Sequence, residues 1–433
     1  MDYFEQYMEY TCTETECPHF YHRWGAIMSL ASFIGRDAFL EHGHFNISPN
    51  IYAMLIGEPG ARKSTAIKIA KKIVLAAGYD VSKVAADKTS KEKFLFDMAA
   101  QNDHSLLEDG DPKKARNGVD ILEQNLWGEE DYESKPPAEM FIAADEFNDF
   151  MGTGNIEFIS LLGNLWDYAG VFKSRVKNGK SIAIPNPTVN LFGGNTQVNF
   201  AKCFPPETLG QGFFSRLLLV YGESTGVKIP FPKAPSSEAT GNLVSSLGRI
   251  KQSVAGRVEL DRQAEMLLSK IYNEYPPLED SRFVSYSQRR FTHLLKLCIV
   301  CAASRLSRAV SEEDVILANT ILAHTESMMP KALGEFGKSK HSDVAHTIME
   351  ILDKATAPVD FKHLWGAVHQ DLEKPQLLQE ILAGLSMAKK IQHIKEGGSD
   401  GQGGFLPLRK RAVEFDESMV DWNLLSLEER GIT

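Results

Sequence analysis

Short runs of consecutive apolar residues, separated by longer amphipathic stretches, dominate the first half of the chain. The runs at 51–56, 140–144, 188–192 and 217–221 contain almost only apolar residues, which is typical of strands buried on both faces of a parallel sheet. After the first run, the sequence AIKIAKKIVLAAG has the spacing of an amphipathic helix. Strands that alternate with helices predict an α/β fold built on a parallel sheet.

The regions on either side of these runs have different patterns. The beginning of the chain has apolar residues at helical spacing, and three amphipathic segments follow a stretch rich in Pro, Gly and Ser. Farther on, three helical patterns precede two short strand patterns around GGSDGQGG, an order typical of a winged helix. We therefore expect a short helical N-terminal segment (1–50), a sheet domain (51–222), a linker (223–257), a helical lid (258–337), a winged helix (338–412) and an acidic tail (413–433).

Composition excludes some classes of protein. No run of about 18 uncharged apolar residues occurs, and the start MDYFEQYMEY lacks the basic and then apolar order of a signal peptide, so we expect a cytoplasmic protein that does not associate with a membrane. The five cysteines are scattered and predict no disulfide framework. A net charge of −10 disfavours nucleic-acid binding by the surface as a whole, but a local basic segment remains compatible with it.

The segment GEPGARKST, between the first strand and its helix, matches the phosphate-binding pattern G-x-x-x-x-G-K-[ST] except that Arg62 replaces the second glycine. Backbone N–H groups of such a loop bind phosphate, while Lys63 reaches the β- and γ-phosphates and Ser64 a magnesium ion. The alternative is a chance glycine turn before a helix. The motif predicts ATP and Mg²⁺ as cofactors. The residues assigned to nucleotide binding are Gly57, Glu58, Pro59, Gly60, Ala61, Arg62, Lys63, Ser64 and Thr65.

Polar residues follow two later strands. Asp145 and Glu146 come directly after the strand at 140–144, and ligands of open α/β sheets bind at the carboxyl ends of strands. Asp145 is therefore a candidate ligand of Mg²⁺, through water, and Glu146 a candidate for polarising the attacking water. Two acids after a strand are also common as solvated surface. Asn195, after the third strand, is a candidate for orienting that water, although a loop asparagine is more often a turn residue.

Three arginines are candidate phosphate ligands. Arg216 stands just before the strand at 217–221, in a position that resembles the one at which an AAA+ subunit offers an arginine to its neighbour's γ-phosphate; the alternative is a surface salt bridge. Arg289 and Arg290 begin the long lid helix, and both are candidates for a second phosphate sensor. The residues alone do not choose between these two.

Together these motifs resemble the phage and mobile-element helicases akin to the MCM (minichromosome maintenance) branch of the AAA+ ATPases. The likeness extends from about residue 17 to 335 and is carried by GEPGARKST, FIAADE, GGNT, GFFSRLLLV, RRFTHLLKL and VSEEDVILA. It implies an α/β fold with an αβα sandwich, a helical lid and a winged helix, and a homo-oligomeric, hexameric ring. In this resemblance Arg289 is the better match to the sensor-2 arginine. Arg62, and the lack of a long DNA-binding segment before residue 17, depart from the family pattern.

The resemblance implies an ATP-dependent DNA helicase or translocase in phage or mobile-element replication. Its partners would be single-stranded or forked DNA and, as further candidates, a primase or polymerase. An alternative function is a AAA+ nucleotide switch, such as a remodeller, loader or defence ATPase, that assembles on a partner without unwinding DNA. A third possibility is a scaffold in which Arg62 allows nucleotide binding without hydrolysis.

A basic hairpin is the sequence feature that favours a helicase. Residues 171–184 alternate apolar with polar or basic residues around Asn178-Gly179, a favoured two-residue turn. In the MCM-like relatives a hairpin that precedes the strand corresponding to 188–192 points into the central channel. A solvated edge hairpin is the alternative. The residues assigned to DNA binding are Lys173, Arg175, Lys177 and Lys180.

Overall fold

The computed structural model describes residues 1–13, 15–102, 135–174, 182–204, 212–334, 342–355, 357–372, 374–387, 390–394, 403–408 and 417–432. The chain divides into two compact units. The first contains Met1–Gly334 and Asp416–Thr433, and the second contains Glu335–Phe415.

A four-stranded parallel sheet forms the centre of the first unit. Its strands are β3 (Tyr52–Ile56), β4 (Glu139–Ala144), β7 (Thr188–Asn195) and β8 (Leu217–Tyr221). They lie in the order β4-β7-β3-β8, and each neighbouring pair is parallel. Nearly every residue of these strands is buried, as consecutive apolar residues require. The predicted mixed α/β fold with a parallel sheet is confirmed.

Helices pack against this sheet. Helices α1 (Tyr3–Cys12) and α2 (His19–Ile34) precede it, and α3 (Lys63–Ala76) follows β3 directly; α2 and α3 contact each other and the sheet. The chain continues through α4 (Lys91–Ala100), α5 (Phe147–Met151), α6 (Ile156–Leu165) and α7 (Gln197–Cys203).

The prediction that residues 1–50 are helical is wrong after residue 37. Strands β1 (Ala38–His42) and β2 (Phe45–Ile47) form an antiparallel hairpin, and Gly43 at its turn has φ +62°. Only Ala38 and Leu40 of these two strands are buried, so the hairpin has too few apolar positions to stand out from the helical pattern before it. The hairpin belongs to a second sheet with β9 (Gly256–Leu260) and β10 (Ala309–Val310).

The linker predicted over 223–257 is too long. Residues 237–254 form an 18-residue helix, α8 (Ser237–Val254), which starts at the Ser236 cap and packs on α1, α2 and α3. Its buried residues Leu243, Leu247, Ile250 and Val254 have helical spacing, but the serines and glycines between them obscured it. The stretch without a helix or strand ends at residue 236.

The three amphipathic helices expected in the lid are present. They are α9 (Arg262–Glu274), α11 (Arg290–Ser304) and α12 (Glu312–Leu333), with the short helix α10 (Val284–Ser287) between the first two. Helix α12 contacts β8 of the central sheet, so the lid helices pack on the same unit as the sheet.

The acidic tail predicted at 413–433 is a packed segment from residue 417 onward. Glu429 is buried, and its carboxylate accepts two hydrogen bonds from Arg23, at 2.7 Å from Nε and 3.2 Å from a terminal nitrogen. Asn319 donates to the Met419 carbonyl at 2.8 Å. The acidic residues of this segment obscured the sequence signal of its buried apolar residues, such as Leu425.

The second unit contains three helices and a hairpin. The helices are α13 (Ser342–Lys354), α14 (Phe361–Val368) and α15 (Pro375–Met387), and antiparallel strands β11 (Ile391–Ile394) and β12 (Gly404–Pro407) follow. A buried apolar cluster that includes Ile348, Leu364 and Leu378 holds the helices together. These elements lie where the sequence predicted them.

Candidate active site

The GEPGARKST loop lies between the end of β3 and the start of α3. Gly57 is closely surrounded, because a Cβ on it would lie 2.5 Å from the Gly222 carbonyl oxygen. Gly60 has φ +90°, and the Ala61 N–H donates to the Glu58 carbonyl at 3.2 Å. A tight turn thus leads into a helix N-terminus, the arrangement that presents backbone N–H groups to phosphate.

Arg62 occupies a left-handed conformation, with φ 58° and ψ 26°. Glycine adopts this conformation freely, whereas another residue loses roughly 1–2 kcal/mol. The Arg62 guanidinium is ion-paired with Glu16, with Nε 2.7 Å from Oε2, and Glu16 Oε1 accepts from the Ile229 N–H at 2.7 Å. Both contacts lower the pKa of Glu16, Ile229 the more strongly. The replacement of glycine thus ties the loop to two distant segments.

Lys63 is buried at the start of α3. Its Nζ donates to the carbonyl oxygens of Gly57 and Glu58, each at 2.9 Å, so the ammonium lies within the curve of the loop. Burial lowers the pKa of Lys63, and the negative charge of Glu146 partly opposes this. The loop therefore holds a cation where the motif places the β- and γ-phosphates.

Asp145 and Glu146 follow β4 as predicted. Asp145 is ion-paired, because its Oδ2 lies 2.7 Å from Nζ of Lys68, and this contact raises the pKa of Lys68. Glu146 is exposed. Sequence reasoning missed Lys68, because nothing in the residue pattern distinguishes it from the other lysines of α3.

Asn195 ends β7 and is fully buried. Its Nδ2 donates to Asn148 Oδ1 at 2.9 Å, and its Oδ1 accepts from the Thr196 N–H at 3.1 Å. Asn148 in turn donates to the Asn199 carbonyl at 2.9 Å. The amide is therefore held in one orientation, and Asn148 is a positioning residue that the sequence did not single out.

These groups meet at the carboxyl edge of the sheet. The Gly57 N–H donates to the Asn195 carbonyl at 3.4 Å, and a Cβ on Gly194 would lie 2.6 Å from the Asp145 carbonyl oxygen. Lys63, Asp145, Glu146 and Asn195 thus share one site.

The donor set of this site fits a magnesium ion bound together with phosphates. No cluster of three or more His, Cys, Asp or Glu residues is placed to hold a metal ion in the described part of the chain. Magnesium at a phosphate site needs no such cluster, since it keeps several waters and takes one or two protein ligands. The Ser64 hydroxyl and the Asp145 carboxylate are oxygen donors of the kind that such a magnesium ion takes.

Arg216 lies at the amino ends of the parallel strands, whereas the loop lies at their carboxyl ends. Strand β8 pairs with β3 so that Tyr221 is opposite Ile56, beside the loop, and Leu217 is opposite Tyr52. At 3.3 Å per residue, about 13 Å of strand separates Leu217 from Tyr221. Arg216 precedes Leu217, so it lies at the end of the strands away from the loop of its own chain.

Arg216 and Arg289 come together on one carboxylate. Asp167 Oδ2 lies 3.5 Å from a terminal nitrogen of Arg216 and 3.2 Å from one of Arg289. Burial lowers the pKa of Arg216, and the nearby charge of Arg289 lowers it further. The sequence did not single out Asp167.

The structure separates Arg289 from Arg290. Arg290 is buried: its Nε donates to Glu326 Oε1 at 2.7 Å, and its guanidinium lies 3.4 Å from the Tyr275 ring centroid. The side chain of Arg289 is 37% exposed. Arg290 is thus committed to packing inside the unit, and Arg289 is the arginine that remains accessible.

The predicted hairpin has two paired strands, β5 (Val171–Ser174) and β6 (Ile182–Pro185). They are antiparallel, with exposed Lys173 opposite Ala183. Arg175, Lys177 and Lys180 lie outside the described residues.

A buried lysine lies next to the arginine pair. Lys296 Nζ donates to the Ser48 carbonyl at 3.0 Å and to Asn50 Oδ1 at 2.5 Å, and it lies 4.3 Å from the Trp166 ring centroid. Burial lowers the pKa of Lys296 to about 7; the charge of Asp167 opposes this shift, and the charges of Arg36 and Arg216 add to it. A neutral amine has two N–H groups, which match the two acceptors.

We expect Lys296 to make stability depend on pH. The unfolded chain, with an ordinary lysine pKa, holds this proton between pH about 7 and 10.5, whereas the folded chain has lost it. The contribution of Lys296 to the free energy of unfolding therefore rises with pH across this window, by up to about 1.4 kcal/mol per pH unit. Below pH about 7 this contribution does not change with pH. Urea unfolding of the wild type and of Lys296→Met at pH 7 to 9 measures the difference.

Lys251→Met is the control for that comparison, because it removes a more exposed lysine, paired with Asp37 at 3.2 Å. It should leave the pH dependence of the wild type unchanged. Equal slopes for the wild type and Lys296→Met would show that Lys296 keeps its proton when folded.

No protein-family model matches the chain, and no curated protein sequence matches it. Among the described residues, no helix combines the length and apolar character needed to cross a bilayer.

Proposed function

We propose that this chain is an ATP-hydrolysing P-loop protein of the AAA+ type that works as a ring-forming DNA helicase or translocase of a phage or mobile element. The observation that carries the ATPase part is the meeting of Lys63, Asp145, Glu146 and Asn195 at one edge of the parallel sheet. Its strands and packed helices are compatible with an αβα sandwich, and the three helices and hairpin of the second unit with a winged helix.

The loop residues would bind the phosphates through backbone N–H groups, and Lys63 would neutralise the β- and γ-oxygens. Ser64 and Asp145 would hold magnesium, which supplies positive charge to the phosphates. Lys68 now pairs with Asp145 at 2.7 Å, so that ion pair has to open for Asp145 to serve as a ligand. Glu146, which is exposed, would polarise a water, and Asn195, held by Asn148, would orient it.

The position of the arginines supports completion of the site by a second subunit. Arg216 and Arg289 lie together, with Arg216 at the amino edge of the sheet, so a phosphate bound to another copy is within their reach more readily than one bound to their own. This supports a homo-oligomeric ring, hexameric by the resemblance to MCM-like proteins, in which Arg216 supplies the arginine finger and Arg289 acts as sensor 2.

The protein would move along DNA, and a primase or polymerase is a candidate partner. The paired strands of the 171–185 hairpin support this, because they would present a basic tip in an otherwise acidic chain. The alternative is a nucleotide switch, such as a loader or defence ATPase, that does not unwind DNA. The ATPase rate with and without single-stranded DNA distinguishes the two.

Replacing both Lys177 and Lys180 with alanine tests the helicase proposal. The double variant should lose unwinding of a forked DNA and the stimulation of ATPase by single-stranded DNA, because these lysines would contact phosphates. Basal ATPase should remain. Wild-type affinity for DNA should fall with added salt and depend little on base sequence.

The matched control replaces Lys251 and Lys270, which lie on helices α8 and α9 outside the hairpin, and should leave unwinding unchanged. Normal unwinding by the hairpin variant would remove the main reason to call the protein a helicase.

A further inference from the structure

Asp167 lies where two separate elements converge. It follows Trp166 directly after helix α6, and one of its oxygens, Oδ2, contacts Arg216 before β8 and Arg289 before α11. One guanidinium therefore comes from the sheet and the other from the lid. In the described part of the chain, Asp167 is the carboxylate ion-paired with both of them.

The backbone that carries Asp167 is held firmly. Trp166 is fully buried, and its carbonyl oxygen accepts from Asn50 Nδ2 at 2.8 Å. The Trp166 ring also lies below the Arg216 guanidinium, 5.8 Å from ring centroid to Cζ. Arg216 itself donates to the Gly212 carbonyl at 2.6 Å. The backbone that carries the carboxylate is thus anchored, and the longer arginine side chains contact that carboxylate.

A negative charge is needed to keep the two guanidiniums together. Two guanidiniums that lie side by side repel each other, and the Arg289 charge lowers the pKa of Arg216. The Asp167 carboxylate contacts both guanidiniums and opposes this repulsion. Two positive charges and one negative charge leave a net positive charge, so the pair still attracts a phosphate oxygen.

We propose that Asp167 is a positioning residue that holds Arg216 and Arg289 together, ready for the phosphate bound by a neighbouring copy of this chain. The inference rests on the proposed function of the two arginines. Asp167 itself does not touch the nucleotide; it orients the groups that do. Fixed orientation of charged groups before the reaction is a large part of catalysis by electrostatic stabilisation.

The test compares ATPase kinetics of the full-length wild type, Asp167→Asn, Asp167→Ala and Asp167→Glu. Asparagine keeps the shape and removes the charge, so it should lower kcat by roughly 10-fold or more, yet less than the roughly 10³-fold expected when an arginine is lost. KM should change by less than about twofold, because the nucleotide loop is untouched. Glutamate should restore part of kcat, since it restores the charge.

Asp37→Asn is the matched control. Asp37 is also half-exposed, at 45% against 41% for Asp167, and pairs with Lys251 at 3.2 Å. It should leave kcat and KM unchanged. Thermal unfolding of each variant shows whether the fold is retained.

Mixed rings separate a positioning role from a structural one. Asp167→Asn subunits keep their nucleotide loop, and Lys63→Ala subunits keep their arginines, so the mixture should hydrolyse ATP faster than the two variants measured separately. Wild-type kcat in Asp167→Asn, or no gain in the mixture, would overturn the positioning role even if Arg216→Ala is slow. Absence of ATPase in the wild type would instead overturn the proposed function.

Discussion

Replacing Lys63 with alanine is expected to abolish ATP hydrolysis and to weaken nucleotide binding. The buried ammonium bonds the carbonyls of Gly57 and Glu58, each at 2.9 Å, and is the cation that the loop itself holds toward the phosphates. Alanine removes that charge, while the backbone N–H groups at the start of α3 remain. Some phosphate affinity should therefore survive without turnover.

Phosphate release measures hydrolysis in this variant, and titration with a fluorescent ATP analogue measures binding. Lys72→Ala, an exposed lysine of the same helix, is the control and should behave as the wild type. Wild-type turnover by Lys63→Ala would show that the loop is not the catalytic site.

Replacing Arg216 with alanine is expected to slow hydrolysis by roughly 10³-fold, the scale of an arginine finger, while ATP binding is retained. The physical reason is location: Arg216 lies across the sheet from the loop of its own chain, so its removal leaves that loop intact. Arg257→Ala, an exposed arginine paired with Glu41 at 3.0 Å, is the control.

Mixing Arg216→Ala with Lys63→Ala subunits distinguishes action across an interface from action within one chain. Each variant supplies the half of the site that the other lacks, so the mixture should regain activity. If no activity returns, Arg216 acts inside its own subunit or only supports the fold.

The central sheet and the GEPGARKST loop with its helix could be predicted because their signals are local. Strands such as β3 are continuous apolar runs, and GEPGARKST follows directly with its helix. The carboxyl-edge residues could also be predicted, since strand direction alone brings Asp145 and Asn195 to one edge. The order of the strands, with β7 between β3 and β4, was not contained in these patterns.

Contacts between residues far apart in sequence could not be predicted. The pairing of Lys68 with Asp145 and the contact of Asp167 with two arginines depend on how helices pack on the sheet, and no sequence spacing records that. Helix α8 was missed for another reason. Its serines and glycines, which favour loops, obscured the helical spacing of its four apolar positions. In the structure, packing on α1, α2 and α3 stabilises the helix.

The packed segment 417–432 changes what kind of connection the second unit has to the first. Because the chain leaves α12 for residues 335–415 and then returns to bond Asn319 and Arg23, the second unit is an insertion in the first rather than an appendage. Two covalent connections join the second unit to the first. One leads to α12, which packs on β8; the other leads through Arg23 to α2, which packs on α3, the helix that begins with Lys63.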